Sequence, residues 1–196
     1  MRTVIVFNHP YESSFCNAIL NAITNGLQKA GHEVDLMHLD NDRFNPVMTQ
    51  DDLKAFVAHQ PIDPQVINYN ERLKKADHLI FIFPIWWDIM PATTKGFIDR
   101  VLFPGVVYDH HSRGYGLVPL LKNLRSVTII TTMNKPKIMY SLLIGNLIRK
   151  VMLRSVFKTM GYKRLKWISF TSVKSVSQEK RKNWLSNLET RFSSFN

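Results

Sequence analysis

The stretch at 78–102 reads HLIFIFPIWWDIMPATTKGFIDRVL. From Leu79 to Phe83 every residue is apolar, with no alternation between faces. So short a continuous run reads as a strand covered on both sides, as the middle of a parallel sheet requires. Pro91 to Val101 then has helical spacing, with proline in the first turn, where its missing N–H costs nothing. A buried strand, a loop and a helix in that order make up most of a parallel crossover unit. The loop between them carries Trp86 and Trp87. Large rings there either plug the gap above a sheet or form a wall for a flat aromatic ligand.

The same alternation continues on both sides. Residues 2–8 read as a buried strand, and 15–30 as a helix with one apolar stripe. Ser13 or Ser14 can cap that helix and Gly31 can end it. Residues 33–39 form a second strand. A loop-rich segment follows at 41–64, with a short helix near 50–58, and then a helix at 65–75. Beyond the opening stretch comes an excursion at 103–122, a fourth strand at 126–131 and an amphipathic helix at 138–158. A fifth strand at 167–173 and a helix at 177–192 complete the chain. Five strands alternating with helices predict an α/β three-layer sandwich over 1–196, with a five-stranded parallel sheet in the order 2-1-3-4-5. In such a sheet the ligand lies beyond the carboxyl ends of the strands, where the winding reverses.

The 196 residues, 45% of them hydrophobic, suit one domain with an ample core. No apolar run is long enough to cross a bilayer, and no leader pattern opens the chain. One cysteine, Cys16, excludes an internal disulfide and suits a reducing compartment, so a cytoplasmic location is expected. The net charge of +11 is uneven. Between His110 and Gln178 there is no Asp or Glu, but there are thirteen Lys and Arg. Such a field attracts anionic membranes, polyanions or phosphorylated small molecules, and a solvated basic face fits equally. No nucleic-acid module stands among these residues, so no nucleic-acid partner is expected.

Three loops fall at the predicted ligand edge. The first, HPYESSF at 9–15, offers the His9 ring, the Ser13 and Ser14 hydroxyls and a helix N-terminus, all of them donors to an anion. Neither GxGxxG nor GxxxxGK[ST] is present. The second is Pro84-Ile85-Trp86-Trp87, and the third is Thr131-Thr132-Met133-Asn134, followed shortly by Tyr140. Each loop alone has an ordinary reading as caps, gap-filling rings or a turn. Together they supply an anion cradle, an aromatic wall and a polar rim. That set fits a planar phosphorylated ligand such as FMN or the flavin half of FAD.

The segment FPIWWDIMPATTKGFIDRVL, the His…Ser-Ser-Phe loop and MYSLL after the fourth strand resemble the flavodoxin-like NAD(P)H:quinone oxidoreductases. That family also includes drug-activity modulators and the ancillary proteins of potassium-efflux systems. The resemblance covers nearly the whole chain. It implies a cytoplasmic flavoprotein homodimer that passes two electrons from NAD(P)H through the flavin to a quinone or similar aromatic acceptor, donor and acceptor binding in turn. It implies that His9, Ser13, Ser14 and Phe15 hold the flavin phosphate region. Pro84, Ile85, Trp86 and Trp87 would lie along the ring, and Thr131, Thr132, Met133 and Asn134 at its other edge. Tyr140 would assist hydride transfer. Near Asn146 a catalytic histidine of the animal enzymes is replaced, and asparagine donates a hydrogen bond but takes no proton. Two glycines common in the family are replaced by Met133-Asn134. Cys16 and the lack of a long C-terminal extension favour FMN over FAD. The resemblance leaves open a flavin-binding regulator docked on a membrane potassium-efflux transporter, an azo or nitro reductase, and a carrier flavodoxin.

Overall fold

The computed structural model describes residues 1–112 and 115–195. Strands β1 (Arg2–Phe7), β2 (Glu33–His38), β3 (His78–Pro84), β6 (Ser126–Thr132) and β7 (Leu165–Phe170) form one parallel sheet. Their spatial order, β2-β1-β3-β6-β7, is the expected doubly wound 2-1-3-4-5. Every residue of the central β3 is buried, as its unbroken apolar run required. The chain thus has the flavodoxin-like three-layer arrangement.

Helices α1 (Phe15–Lys29) and α6 (Gln178–Ser193) cover one face. Ile19, Ile23 and Leu27 of α1 meet Leu188 and Phe192 of α6 over Ile5, Ile80 and Ile130 of the sheet. The other face is covered by α3 (Pro64–Lys74), α4 (Ala92–Val101) and a π-helix at Arg149–Lys158. Their core residues Leu73, Phe97 and Phe157 pack with Val4, Phe81 and Ile129. Helix α2 (Gln50–Ala58) begins at a capping box between Thr49 and Asp52, and α3 begins at an Asp63 cap.

The structure corrects three boundaries. The excursion after α4 holds a two-stranded hairpin, β4 (Tyr108–His110) with β5 (Leu117–Pro119). The last strand runs 165–170 rather than 167–173, because Leu165 and Lys166 pair with Val127 and Thr128. The single helix expected over 138–158 is two pieces. Helix α5 (Lys137–Leu142) ends before Gly145 and Asn146, both left-handed at φ 76° and 55°. Two successive left-handed residues cannot continue a right-handed helix.

Candidate active site at the carboxyl edge of the sheet

The ends of β1, β3 and β6 are joined by bonds that the topology requires. The Asn8 N–H donates to the Ile82 carbonyl at 3.0 Å, and the Ile85 N–H to the Thr132 carbonyl at 2.8 Å. The Cys16 thiol lies 3.2 Å from the Thr132 hydroxyl, tying the start of α1 to the end of β6. Beneath the first loop, the buried Asn8 amide donates to Asp40 at 2.9 Å and accepts from the Thr94 hydroxyl at 2.8 Å. That chain links the ends of β1 and β2 to the first turn of α4. Sequence reading took Asn8 as the last residue of the strand, and nothing local marks its distant partners.

In the first loop Ser14 is the N-cap of α1, its Oγ accepting from the Asn17 N–H at 3.2 Å. The remaining N–H groups of a first helical turn have no partner within the helix. Ser13 is exposed beside them. The His9 Nδ1 accepts the Tyr11 N–H at 3.1 Å, which leaves the proton of the neutral ring on Nε2. Burial lowers the His9 pKa, so at neutral pH this ring is a neutral donor. It also meets the Trp86 ring edge-to-face at 6.2 Å, bringing the first and second loops together. Phe15 stands apart from the edge. Its ring packs on Phe170 and Trp184, so it serves the site through its backbone and by anchoring the helix start.

The second loop is a miniature hairpin. Trp86 and Ile89 exchange N–H···O=C bonds of 3.0 and 3.1 Å around Trp87-Asp88. Both central residues have positive φ, 49° and 66°, as a type I′ turn demands. That conformation suits Asn-Gly, and a tryptophan in it is strained. Trp87 is 97% exposed and Trp86 46%. Strain and exposure of this kind cost stability and accumulate where function needs them. Pro84 is buried as the last residue of β3, and Ile85 is half-buried.

In the third loop the Thr131 hydroxyl is buried and accepts from the Trp167 Nε1–H at 2.9 Å. Thr132 faces Cys16, and Met133 is buried with its N–H on the Phe170 carbonyl at 2.9 Å. Asn134 is exposed, its side-chain oxygen accepting from the Lys174 N–H at 3.3 Å. Tyr140 is fully buried. Its hydroxyl donates to the Asp88 carbonyl at 2.9 Å and accepts from the Ile148 N–H at 3.1 Å. Burial raises its pKa, so the phenol is protonated at neutral pH. Asn146 donates to the Ser141 hydroxyl at 2.9 Å. An Asp88–Lys135 ion pair at 2.5 Å spans the second and third loops. It joins residues 47 apart, and no local signal marks such a pair.

The aromatic pair, the exposed donors of the first loop and the polar edge of the third are thus held in one place by protein–protein bonds. Residues 1–192 match the family described as the flavodoxin-like fold, and the chain belongs to that family. An uncharacterized NAD(P)H oxidoreductase of Haemophilus influenzae is 27% identical over 185 residues, covering 93% of this chain and 89% of that one. NAD(P)H dehydrogenase [quinone] 1 of Cavia porcellus is 29% identical over 157 residues, covering 72% of this chain and 56% of that protein. This chain therefore spans little more than half the length of the animal enzyme it matches. Among solved structures, Smu.1420 of Streptococcus mutans superposes with a TM-score of 0.86 at 30% identity, covering both chains completely.

Proposed function

We propose that the protein is a flavin-dependent NAD(P)H oxidoreductase that reduces quinones or related small aromatic acceptors. The observation that carries this reading is the convergence of an anion cradle and two exposed tryptophans on one sheet edge, bonded into a single unit. The donor set fits a flavin. The α1 N-terminus with Ser13, Ser14 and the His9 Nε2–H suits a phosphate. Trp86 and Trp87 offer apolar ring surface suited to a flat partner. FMN is the cofactor we propose, with FAD as the alternative; both present the same phosphate and ring to these loops.

When bound, a flavin supplies the two-electron chemistry, taking hydride from NAD(P)H and passing it to the acceptor. The chain's own part is to bind and orient. Ser14 fixes the start of α1, and the His9–Trp86 contact fixes the phosphate loop against the ring wall. Of the backbone N–H groups at 131–134, that of Met133 is taken by the Phe170 carbonyl and those of Thr131 and Thr132 belong to the sheet, so the Asn134 N–H is the proposed donor to charge at the ring's polar edge, where one lost donor raises a barrier by about 3 kcal/mol. Tyr140 and Asn146 remain the proposed catalytic candidates beside that edge. Tyr140 holds a proton at its hydroxyl, now shared with the Asp88 carbonyl, and through it positions the tryptophan turn.

One contiguous apolar patch favours a homodimer built beside this site. Ile138, Leu142 and Leu143 of the α5 region are 70–77% exposed, and the Tyr140–Asp88 bond places them next to the exposed tryptophan turn. So much apolar surface in one place marks an interface. The soluble mass by light scattering tests it.

The test of the function is the absorbance spectrum of the purified protein, with mass identification of the released cofactor. A yellow protein bleached by NADPH or NADH and re-oxidised by menadione is expected. A colourless protein that takes up neither FMN nor FAD would overturn the reading.

A further inference from the structure

A cavity of about 940 Å³ lies between the π-helix and the edge strand β7. Its lining carries six cationic side chains: Lys137, Arg149, Arg154, Lys158, Lys163 and Lys166. No Asp or Glu lines it, and among the described residues none of the six forms an ion pair. The lining also includes the apolar side chains of Leu153 and Leu165 and the ring of Trp167. Ser141 and Asn146 also line it.

Lysines on an edge strand commonly guard it against pairing with another chain. That purpose would account for Lys166 on β7, but not for Arg149, Arg154 and Lys158 lining the same hollow from the helix. Like charges gathered around one concavity repel one another and concentrate anions there. A membrane surface would select a broad basic face, whereas these cations surround a hollow whose volume matches small-molecule sites. An aromatic ring and several cations lining one hollow match a base or other ring joined to several phosphates.

We infer that the groove between the π-helix and β7 is a binding site for a nucleotide carrying two or more phosphates, with its ring toward Trp167 and its phosphates on Arg149, Arg154 and Lys158. The phosphates can belong to the 2′-phosphoadenosine end of a dinucleotide donor or to a separate free nucleotide. The first source rests on the proposed oxidoreductase activity, and the second does not.

The experiment is calorimetric titration of the purified full-length chain with adenosine 2′,5′-bisphosphate and, separately, with ATP. Saturable, salt-sensitive binding of at least one is expected. The double variant Arg154→Gln/Lys158→Gln should weaken it about tenfold or more. A control, Lys180→Gln/Lys182→Gln on α6, should bind as the parent does. If neither nucleotide binds saturably, or the control loses as much affinity as the groove variant, the site does not exist as described. Circular dichroism confirms that the variants are folded. Steady-state kinetics then separate the sources. For the donor's tail, the groove variant raises KM for NADPH but not for NADH, and the bisphosphate competes with NADPH. For a separate nucleotide, the groove variant weakens nucleotide binding while both KM values stay unchanged. Because titration needs no flavin, its failure is distinguishable from failure of the oxidoreductase reading.

Discussion

Residues 78–102 and 138–158 both carry strong apolar spacing, and only the first folds as its spacing says. In the first, an apolar run becomes a wholly buried strand and the following periodicity becomes α4. In the second, apolar residues at 144, 147, 148, 151 and 152 matched an α-helical stripe. The chain instead makes the short α5, two left-handed residues and a π-helix. The buried positions there are Ile148, Met152, Leu153 and Phe157, spaced i, i+4, i+5 and i+9. That spacing suits i→i+5 bonding. The Thr159 N–H donates to the Arg154 carbonyl, and the Thr159 and Ser155 hydroxyls reach back five residues as well. Periodicity reports which side is covered. It does not distinguish two hydrogen-bonding patterns whose apolar stripes nearly coincide.

The first region also divides within itself. Its tryptophan turn is exposed and strained, while the later motif residues hold the fold. Arg100 is buried, bonding Asp52 at 3.0 Å, Asp63 at 2.9 Å and the Asn45 carbonyl at 2.6 Å. It anchors the long connection between β2 and α3. A Cβ on Gly96 would lie 2.3–2.4 Å from Pro46, so the same connection needs glycine there. Arg100→Leu should therefore cause the largest loss of stability, about 3–5 kcal/mol, by stranding the buried Asp52 carboxylate and the partly buried Asp63. Denaturant unfolding measures it. A loss below about 1 kcal/mol would show that the network is dispensable.

Next in size comes a pH effect at the far end of β3. His78 is buried, its Nδ1 2.7 Å from the Ser126 hydroxyl, and among the described residues its Nε2 has no partner. Burial, with the neighbouring His32 adding to it, pushes its pKa down to about 4. The folded state then resists a proton that the unfolded chain accepts near pH 6.5, so stability is full above that pH. It falls as pH drops toward 4, by on the order of 2–3 kcal/mol. His78→Gln should flatten this slope in melts between pH 7 and 4.5. An unchanged slope would assign the acid sensitivity elsewhere.

Smaller effects sharpen the contrast between the two regions. Trp87→Gly removes a strained, exposed ring, so the protein should gain about 0.5–1 kcal/mol in stability. The same change should weaken flavin binding. A variant that is both less stable and unaltered in flavin affinity would show that the turn is not held strained for a ligand. In the second region, Asn146→Gly at φ 55° should raise stability by a few tenths of a kcal/mol. Tyr140→Phe should slow reduction of bound flavin in stopped flow without abolishing flavin binding. Reduction at the parent rate would remove Tyr140 from the proposed chemistry.

The strand order, the two faces of helices and the loops of the edge were all legible, because each rests on local periodicity or on a cap. Thr49 and Asp63 cap α2 and α3, a local signal that the reading of those helices did not use. The bonds that assemble the edge were not legible. Asp88 with Lys135, Asn8 between Asp40 and Thr94, and Trp167 on Thr131 each join residues brought together only by the sheet. The placement of Phe15 shows the reverse limit: its position beside the serines suggested ligand contact, and its ring faces the core. The β4–β5 hairpin escaped notice because three-residue strands leave almost no alternation to read.

The most direct measurement is the fluorescence titration of FMN into the parent chain and into the variant Ser13→Asp/Ser14→Asp. The double change places two carboxylates where the phosphate is expected, while Asp still caps the helix. The parent should quench one FMN per chain, and the variant should bind far more weakly while melting at nearly the parent temperature. Equal FMN affinity in both proteins would contradict the placement of the phosphate at the start of α1, and with it the three-loop grip.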